Sequence, residues 1–187
     1  MRKLTPDETS HERVQDLASP PPKRHPIFVA LDNIRSLYNV GSIFRTSDAA
    51  RVEKLFLCGY TSFPPRKEID KTALGATFSV PWEYRQNPVD VIRELKSGNV
   101  TICVLEHTTR SVPYTSVKPS DFPICLVLGN ELVGVSKEVI ERADMAIEIP
   151  MYGSKHSLNV AVAYGIAVFE CVKVFRRASE GQRPVQS

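Results

Sequence analysis

The stretch Ile124-Cys125-Leu126-Val127-Leu128-Gly129-Asn130-Glu131-Leu132-Val133-Gly134-Val135-Ser136 sets the class of fold. Its first five residues are apolar without alternation. A strand exposed on one face alternates apolar and polar residues, so an unbroken apolar run means burial on both faces, as in a parallel sheet covered on each side. The run then stops at a Gly-Asn-Glu turn, which is where a strand of such a sheet ends and a ligand loop begins.

Other runs of the same kind lie on either side. Strands are predicted at 27–31 (IFVAL), 54–58 (KLFLC), 100–106 (VTICVLE), 124–128 (ICLVL) and 146–149 (AIEI). Between them the apolar spacing predicts helices over Ser42–Arg51, Pro88–Ser97, Ser136–Ala143 and Ser157–Arg176. Pro88 suits a first helical turn and Gly98 a helix stop. Strands alternating with helices imply an α/β fold, a mostly parallel sheet flanked by helices joined by right-handed crossovers. The start of the last helix, SLNVAVAYGIAVFE (157–170), is apolar almost all round. Such a helix needs cover on every side, which points to a second subunit.

The 187 residues suffice for one substantial domain. Residues 1–25 read as an extension ending in the extended linker Ser19-Pro20-Pro21-Pro22-Lys23-Arg24. The domain is expected over 26–177, followed by a flexible tail, 178–187. A net charge of +3 permits an RNA partner without requiring one. Cys58, Cys103, Cys125 and Cys171 are far apart, with no metal-ligand spacing, and read as buried reduced thiols suited to a cytoplasmic protein. The N-terminus has no apolar core like that of a secretory signal, and no apolar run approaches a membrane span.

Three loops that follow strands carry unusual chemistry. They are Asp32–Ser42, leading toward Arg45; Gly129–Ser136; and Pro150–Asn159, which contains His156. Each is rich in Gly, Asn or Ser, residue types that let backbone approach a ligand but that also make ordinary turns. No GxG, GxxxxGK[ST], HExxH or GxSxG pattern occurs, so dinucleotide, phosphate-loop, zincin and nucleophile-elbow chemistries lack their signatures.

In order, the loops resemble the three motifs of the SpoU/TrmH branch of the SPOUT RNA methyltransferases: Asn39-Val40-Gly41-Ser42-Ile43-Phe44-Arg45-Thr46; Leu126-Val127-Leu128-Gly129-Asn130-Glu131 with Gly134; and Ile149-Pro150-Met151-Tyr152-Gly153 followed by Ser157-Leu158-Asn159-Val160-Ala161-Val162-Ala163. The resemblance implies a C-terminal deep trefoil knot, S-adenosyl-L-methionine as cofactor, an RNA substrate methylated on a ribose 2′-hydroxyl, and a homodimer whose site is completed across the interface. By position it assigns Leu128, Gly129, Ile149, Met151 and Leu158 to the cofactor, largely through backbone groups. It assigns Asn39, Arg45, Glu131, Ser157 and Asn159 to a polar catalytic cluster.

Arg45 is the residue on which transfer is expected to depend. Neutralising a guanidinium so that it acts as a base costs roughly 8 kcal/mol. A charged guanidinium that clamps phosphate and stabilises the oxyanion needs no such outlay, and its protonation state stays open. Glu131 is read as pairing with Arg45 or contacting ribose or cofactor, and Ser157 as a possible helix N-cap. Arg35, Lys54, Arg66, Lys67, Lys71 and Lys155, with the long basic stretch 61–71 and the pair Lys23-Arg24, are candidates to grip RNA phosphates or merely to be solvated. The absence of a large extra RNA-binding domain tilts the substrate toward tRNA over rRNA. Alternatives are a catalytically silent RNA-binding relative, a base-nitrogen methyltransferase, and an unrelated enzyme using an adenine nucleotide.

Overall fold

A computed structural model describes Arg2, Thr5 and residues 23–180; the expected extension falls almost wholly outside them, as do 181–187 of the expected tail. Seven parallel strands form one sheet in the order β3-β2-β1-β6-β4-β7-β5. They are β1 (His25–Asp32), β2 (Val52–Cys58), β3 (Trp82–Arg85), β4 (Thr101–Leu105), β5 (Val112–Pro113), β6 (Ile124–Gly129) and β7 (Met145–Glu148). All five expected strands are present. The short β3 and the two-residue β5 were not expected, because neither is long or apolar enough to show a pattern.

The helices are α1 (Leu37–Ala49), α2 (Lys67–Ala73), α3 (Ala76–Ser79), α4 (Pro88–Ser97), α5 (Lys137–Ile140) and α6 (Val160–Glu180). Helix α4 matches its expected bounds, with the Asn87 side chain accepting from Val89 N and Gly98 at the stop. Three others differ. Helix α1 begins five residues earlier than expected, because Ser36 caps it by accepting from Asn39 N. Helix α5 is shorter than the apolar spacing suggested, and α6 begins three residues later and ends four later than expected. The basic stretch 61–71 is not all loop, since its second half enters α2.

Each strand sends alternate residues to opposite faces. Ile27, Val29 and Leu31 of β1 join one core with Ile43 and Phe44 of α1 and Tyr164 and Val168 of α6. Ala30, with Val127 of β6, joins a second core closed by Val91, Ile92 and Leu95 of α4 and Val139 of α5. A fully buried residue of this kind contributes about 1.5–3 kcal/mol. The sheet is therefore covered on both faces, as the unbroken apolar runs require. Gly41 lets α1 and α2 approach closely: an added Cβ would lie 2.1 Å from Thr72 Oγ1 and 2.3 Å from the Ile69 carbonyl.

All four cysteines are free and buried. Burial pushes the Cys58 and Cys171 thiols up to about 12. Among the described residues no helix is long and apolar enough to cross a membrane.

Candidate active site

All seven strands run the same way, so their carboxyl ends share one edge of the sheet, and there the ends of β4, β6 and β7 open into a cavity of about 860 Å³. Loop 129–136 and loop 149–159 wall it. Leu128, Gly129, Ile149, Met151 and Leu158 all line it, as do Glu131, Ser157, Asn159 and His156. Nothing in local pattern brings Leu128, Ile149 and Leu158 together; the sheet order does, by placing β6, β4 and β7 side by side.

Loop 129–136 is held rigidly. Asn130 and Gly134 exchange backbone hydrogen bonds of 3.0 and 2.9 Å. The Asn130 Oδ1 accepts from Leu132 N and Val133 N, and its Nδ2 donates to the Asn33 carbonyl and the Tyr60 hydroxyl. Gly129 has no room for a side chain: a Cβ there would sit 2.1 Å from Val135 N and 2.2 Å from the Gly134 carbonyl carbon. Gly134 has φ +74°, a left-handed backbone, and a Cβ there would meet Glu106 Oε2 at 2.3 Å. Two further carboxylates pin the loop. Asp32 Oδ2 accepts from Ser136 N at 2.7 Å and Glu106 Oε2 from Val135 N at 3.0 Å.

One hydrogen-bond relay joins the three loops. Glu131 accepts from Arg35 N at 2.9 Å, Ser36 N at 3.0 Å and Asn39 Nδ2 at 2.8 Å. Asn39 Oδ1 in turn accepts from Asn159 Nδ2 at 3.1 Å. Asn159 Oδ1 accepts from Ala161 N at 3.0 Å and Val162 N at 3.3 Å, capping α6. Burial pushes the Glu131 carboxyl up, but the donors from Arg35, Asn39 and Ser36 outweigh it and hold it below the ordinary carboxylate value. Its place beside the amino end of α1 also suits an anion.

Several expectations need correction. Ser157 does not cap α6; Asn159 does, because it directly precedes the first helical residue and its oxygen reaches the second and third amides. Glu131 pairs with Asn39 and two backbone amides, not with Arg45. Arg45 is exposed on α1, does not line the cavity, and makes no hydrogen bond or ion pair among the described residues. Thr46 approaches Gly165 of α6, and Asn39, seven residues earlier, reaches Asn159 on the same face. Arg45 stands about 100° round the helix from that face. Lys54 lies within β2 and is paired with Glu83 at 2.5 Å. Arg24 donates to the carbonyls of Val52, at the start of β2, and Ser79, on the edge opposite the cavity. Arg35, Arg66, Lys67, Lys71 and Lys155 remain exposed.

Sequence reasoning missed Glu106, Asn130 and a rim cluster in which Glu148 Oε2 meets His107 Nδ1 at 2.6 Å and Ser111 Oγ at 2.5 Å. The Ser111 hydroxyl and then His107 hold the Glu148 carboxyl below its usual value. These pairings span 37–41 residues and carry no local signature.

The cavity volume suits a nucleoside-sized ligand. Its lining includes Glu106, Glu131 and Glu148 but neither Lys nor Arg. That surrounding favours a cation over a nucleotide phosphate, and Leu128, Ile149, Met151 and Leu158 supply apolar wall for a ring. The residues present therefore fit a sulfonium nucleoside. Among the described residues no cluster that could hold a metal ion occurs.

A parallel sheet with a cleft beyond the carboxyl ends of its strands places the chain among the open α/β folds that bind their ligands there. Residues 26–169 match the SpoU rRNA Methylase family. The chain is 36 % identical over 159 residues to the tRNA (guanosine(18)-2'-O)-methyltransferase of Aquifex aeolicus, covering 84 % of this chain and 74 % of that one. It is 32 % identical over 150 residues to the 23S rRNA (guanosine-2'-O-)-methyltransferase of Ralstonia nicotianae, covering 79 % of this chain but 59 % of that enzyme. Among solved structures, the TrmH/SpoU tRNA modifying enzyme of A. aeolicus superposes with a TM-score of 0.78 at 33 % identity, over 96 % of this chain and 89 % of that one. The AdoMet-bound rRNA methyltransferase from Sinorhizobium meliloti does so with 0.75 at 34 % identity, over 81 % and 57 %. The chain belongs to the SpoU methylase family, whose members are S-adenosylmethionine-dependent RNA methyltransferases.

Proposed function

We propose that this protein methylates a ribose 2′-hydroxyl of tRNA. The observation that carries the reading is the cavity at the ends of β4, β6 and β7, walled by all five expected cofactor positions and rimmed by the Glu131–Asn39–Asn159 relay. The named relatives act on guanosine ribose in tRNA or 23S rRNA, which supports the ribose as acceptor. The tRNA enzyme shares the higher identity with this chain, 36 % against 32 % for the rRNA enzyme, which supports tRNA.

S-adenosylmethionine supplies a methyl group on a cationic sulfur, already a good leaving group. The chain must make the acceptor reactive, since a 2′-hydroxyl is a weak nucleophile that loses its proton as it attacks, an oxygen of the adjoining RNA phosphate taking that proton. Leu128, Gly129, Ile149, Met151 and Leu158 would hold the nucleoside, with backbone groups of loops 129–136 and 149–159 reading the adenine edge. Asn39, Ser157 and Asn159 orient the sugar, and Glu131 fixes Asn39. Arg45 stabilises charge developing on oxygen.

Within one chain Arg45 lies outside the cavity, so it serves the cavity of a second copy in a homodimer. The exposed stripe Val162, Ile166 and Phe169 on α6 supports that assembly. The knot implied by the motifs belongs to the same reading: α6 follows β7, near the end of the sheet, yet packs back on β1, β4 and β6. A cytoplasmic site accords with four unpaired thiols.

The test is incubation of the purified protein with methyl donor and unmodified tRNA or 23S rRNA, then digestion to nucleosides and mass spectrometry. A 2′-O-methylnucleoside from tRNA is expected. A base-methylated nucleoside would refute ribose as acceptor, and modification of rRNA alone would refute tRNA. No transfer, with S-adenosylhomocysteine still bound, would identify a silent RNA-binding relative.

A further inference from the structure

The carboxyl edge of the sheet continues beyond the cavity to the ends of β2 and β3, where three aromatic residues are exposed together: Tyr60 at 58 %, Phe63 at 42 % and Tyr84 at 39 %. Their exposure is not that of loose side chains. The Tyr84 hydroxyl donates to the Gly59 carbonyl at 2.9 Å, and the Tyr60 hydroxyl accepts from Asn130 Nδ2 at 2.6 Å. With both phenolic tips bound, the surface left to solvent is ring. Phe63 lies 4.7 Å from Tyr84, centroid to centroid, and 6.4 Å from Trp82, which fixes its orientation.

Although its neighbours fix each ring in place, about two fifths or more of its surface stays in solvent, where it is free to meet a ligand. The neighbouring charges say what they meet. Arg66 and Lys67 follow Phe63 after Pro64 and Pro65, Lys71 lies one turn on, and Arg35 is on the next loop along the edge; all four are exposed. Glu68 and Asp70 on α2 offset part of this charge. Aromatic faces beside flexible cations are the pattern that binds single-stranded nucleic acid, the rings stacking on bases and the cations tracking phosphates. Duplex RNA, whose bases already stack on each other, offers nothing to the rings.

We infer that Tyr60, Phe63 and Tyr84 form a stacking platform for unpaired bases of the RNA substrate, so that the enzyme takes its target from a single-stranded loop and not from a helix. The inference rests on the RNA-substrate reading above. Strands lie about 4.8 Å apart, so the platform is roughly 10–15 Å from the cavity, a distance that a few nucleotides span. Tyr60 ties the platform to the cofactor loop through Asn130, the same residue that braces Leu132 and Val133.

The test is fluorescence anisotropy of a labelled 12-nucleotide single-stranded RNA, and of the same strand in a 12-base-pair duplex, with the full-length protein. Phe63→Leu and Phe63→Met keep apolar bulk and remove the π face, at a position that touches nothing in the cofactor loop. Each is expected to weaken single-strand binding about 5- to 100-fold, with thermal melting and S-adenosylhomocysteine affinity unchanged, while weaker duplex binding by the parent protein changes less than twofold. With a methylatable RNA the same variants should raise KM and spare kcat at saturation. Unchanged single-strand affinity in folded variants, or equal binding of strand and duplex by the parent, would overturn the platform. Binding is read without methyl transfer, so a protein that binds the strand as expected but transfers no methyl would sink the catalytic reading and leave the platform standing.

Discussion

Glu131 anchors Asn39, the residue on which the three loops converge. The Glu131 carboxylate is held below the ordinary value by donors it has only in the folded chain. It therefore adds stability at neutral pH that falls away as the pH drops from about 4.3, the ordinary value, through the lowered one, and is gone below both. Glu131→Gln should flatten that part of the acid-stability profile, measured by urea midpoints at stepped pH, and an unchanged profile would show that the donors do not matter. Gly129 is tested by crowding. In Gly129→Ala the new methyl meets backbone at 2.1–2.2 Å, which should cost about 1–3 kcal/mol in urea unfolding and weaken S-adenosylhomocysteine binding at least tenfold by calorimetry. That Leu128, Gly129, Ile149, Met151 and Leu158 would come together was legible because motifs quote them in sequence order. Glu106 and Glu148 were not, because each acts through a partner 29–41 residues away, and of Asn130 the motif gave the place but not its reach to Asn33 and Tyr60.

Helix ends show how capping decides what a motif does. The apolar spacing that begins near Ser42 predicted α1 to start there; Ser36 starts it earlier, and Asn39 becomes a first-turn residue facing loop 129–136. At α6 the expected cap was Ser157, where the apolar spacing begins. The structure assigns the cap to Asn159, whose amide nitrogen is left free to hold Asn39. Asn159→Ala should therefore cost about 1 kcal/mol, lowering Tm by roughly 2–4 °C for a chain of this size. Ser157→Ala should leave Tm unchanged in the same calorimetric scan. Equal losses from both would contradict the assignment. The short β3 and β5 escaped notice because β5 spans two residues and β3, Trp-Glu-Tyr-Arg, contains no run of aliphatic residues.

The sheet and its two cores follow from runs of apolar residues, and to that extent the whole molecule was legible. Its assembly was only hinted at, by a last helix too apolar to stand alone. That helix buries Tyr164, Ala167, Val168 and Cys171 and leaves Val162, Ile166 and Phe169 exposed. Ile166→Glu places a charge in the stripe without touching the buried face. Sedimentation should show a dimer for the parent and a monomer for the variant, with similar melting of the sheet; a parent that sediments as a monomer would remove the route by which Arg45 reaches a cavity.

The central claim is that the cleft beyond β4, β6 and β7 holds the methyl donor. A crystal structure with S-adenosylhomocysteine bound tests it most directly. The adenine should lie against Leu128, Ile149, Met151 and Leu158, with the sulfur turned toward Asn39 and the Arg45 of a second copy. A ligand seated elsewhere, or one whose sulfur no Arg45 approaches in the assembled protein, would contradict it.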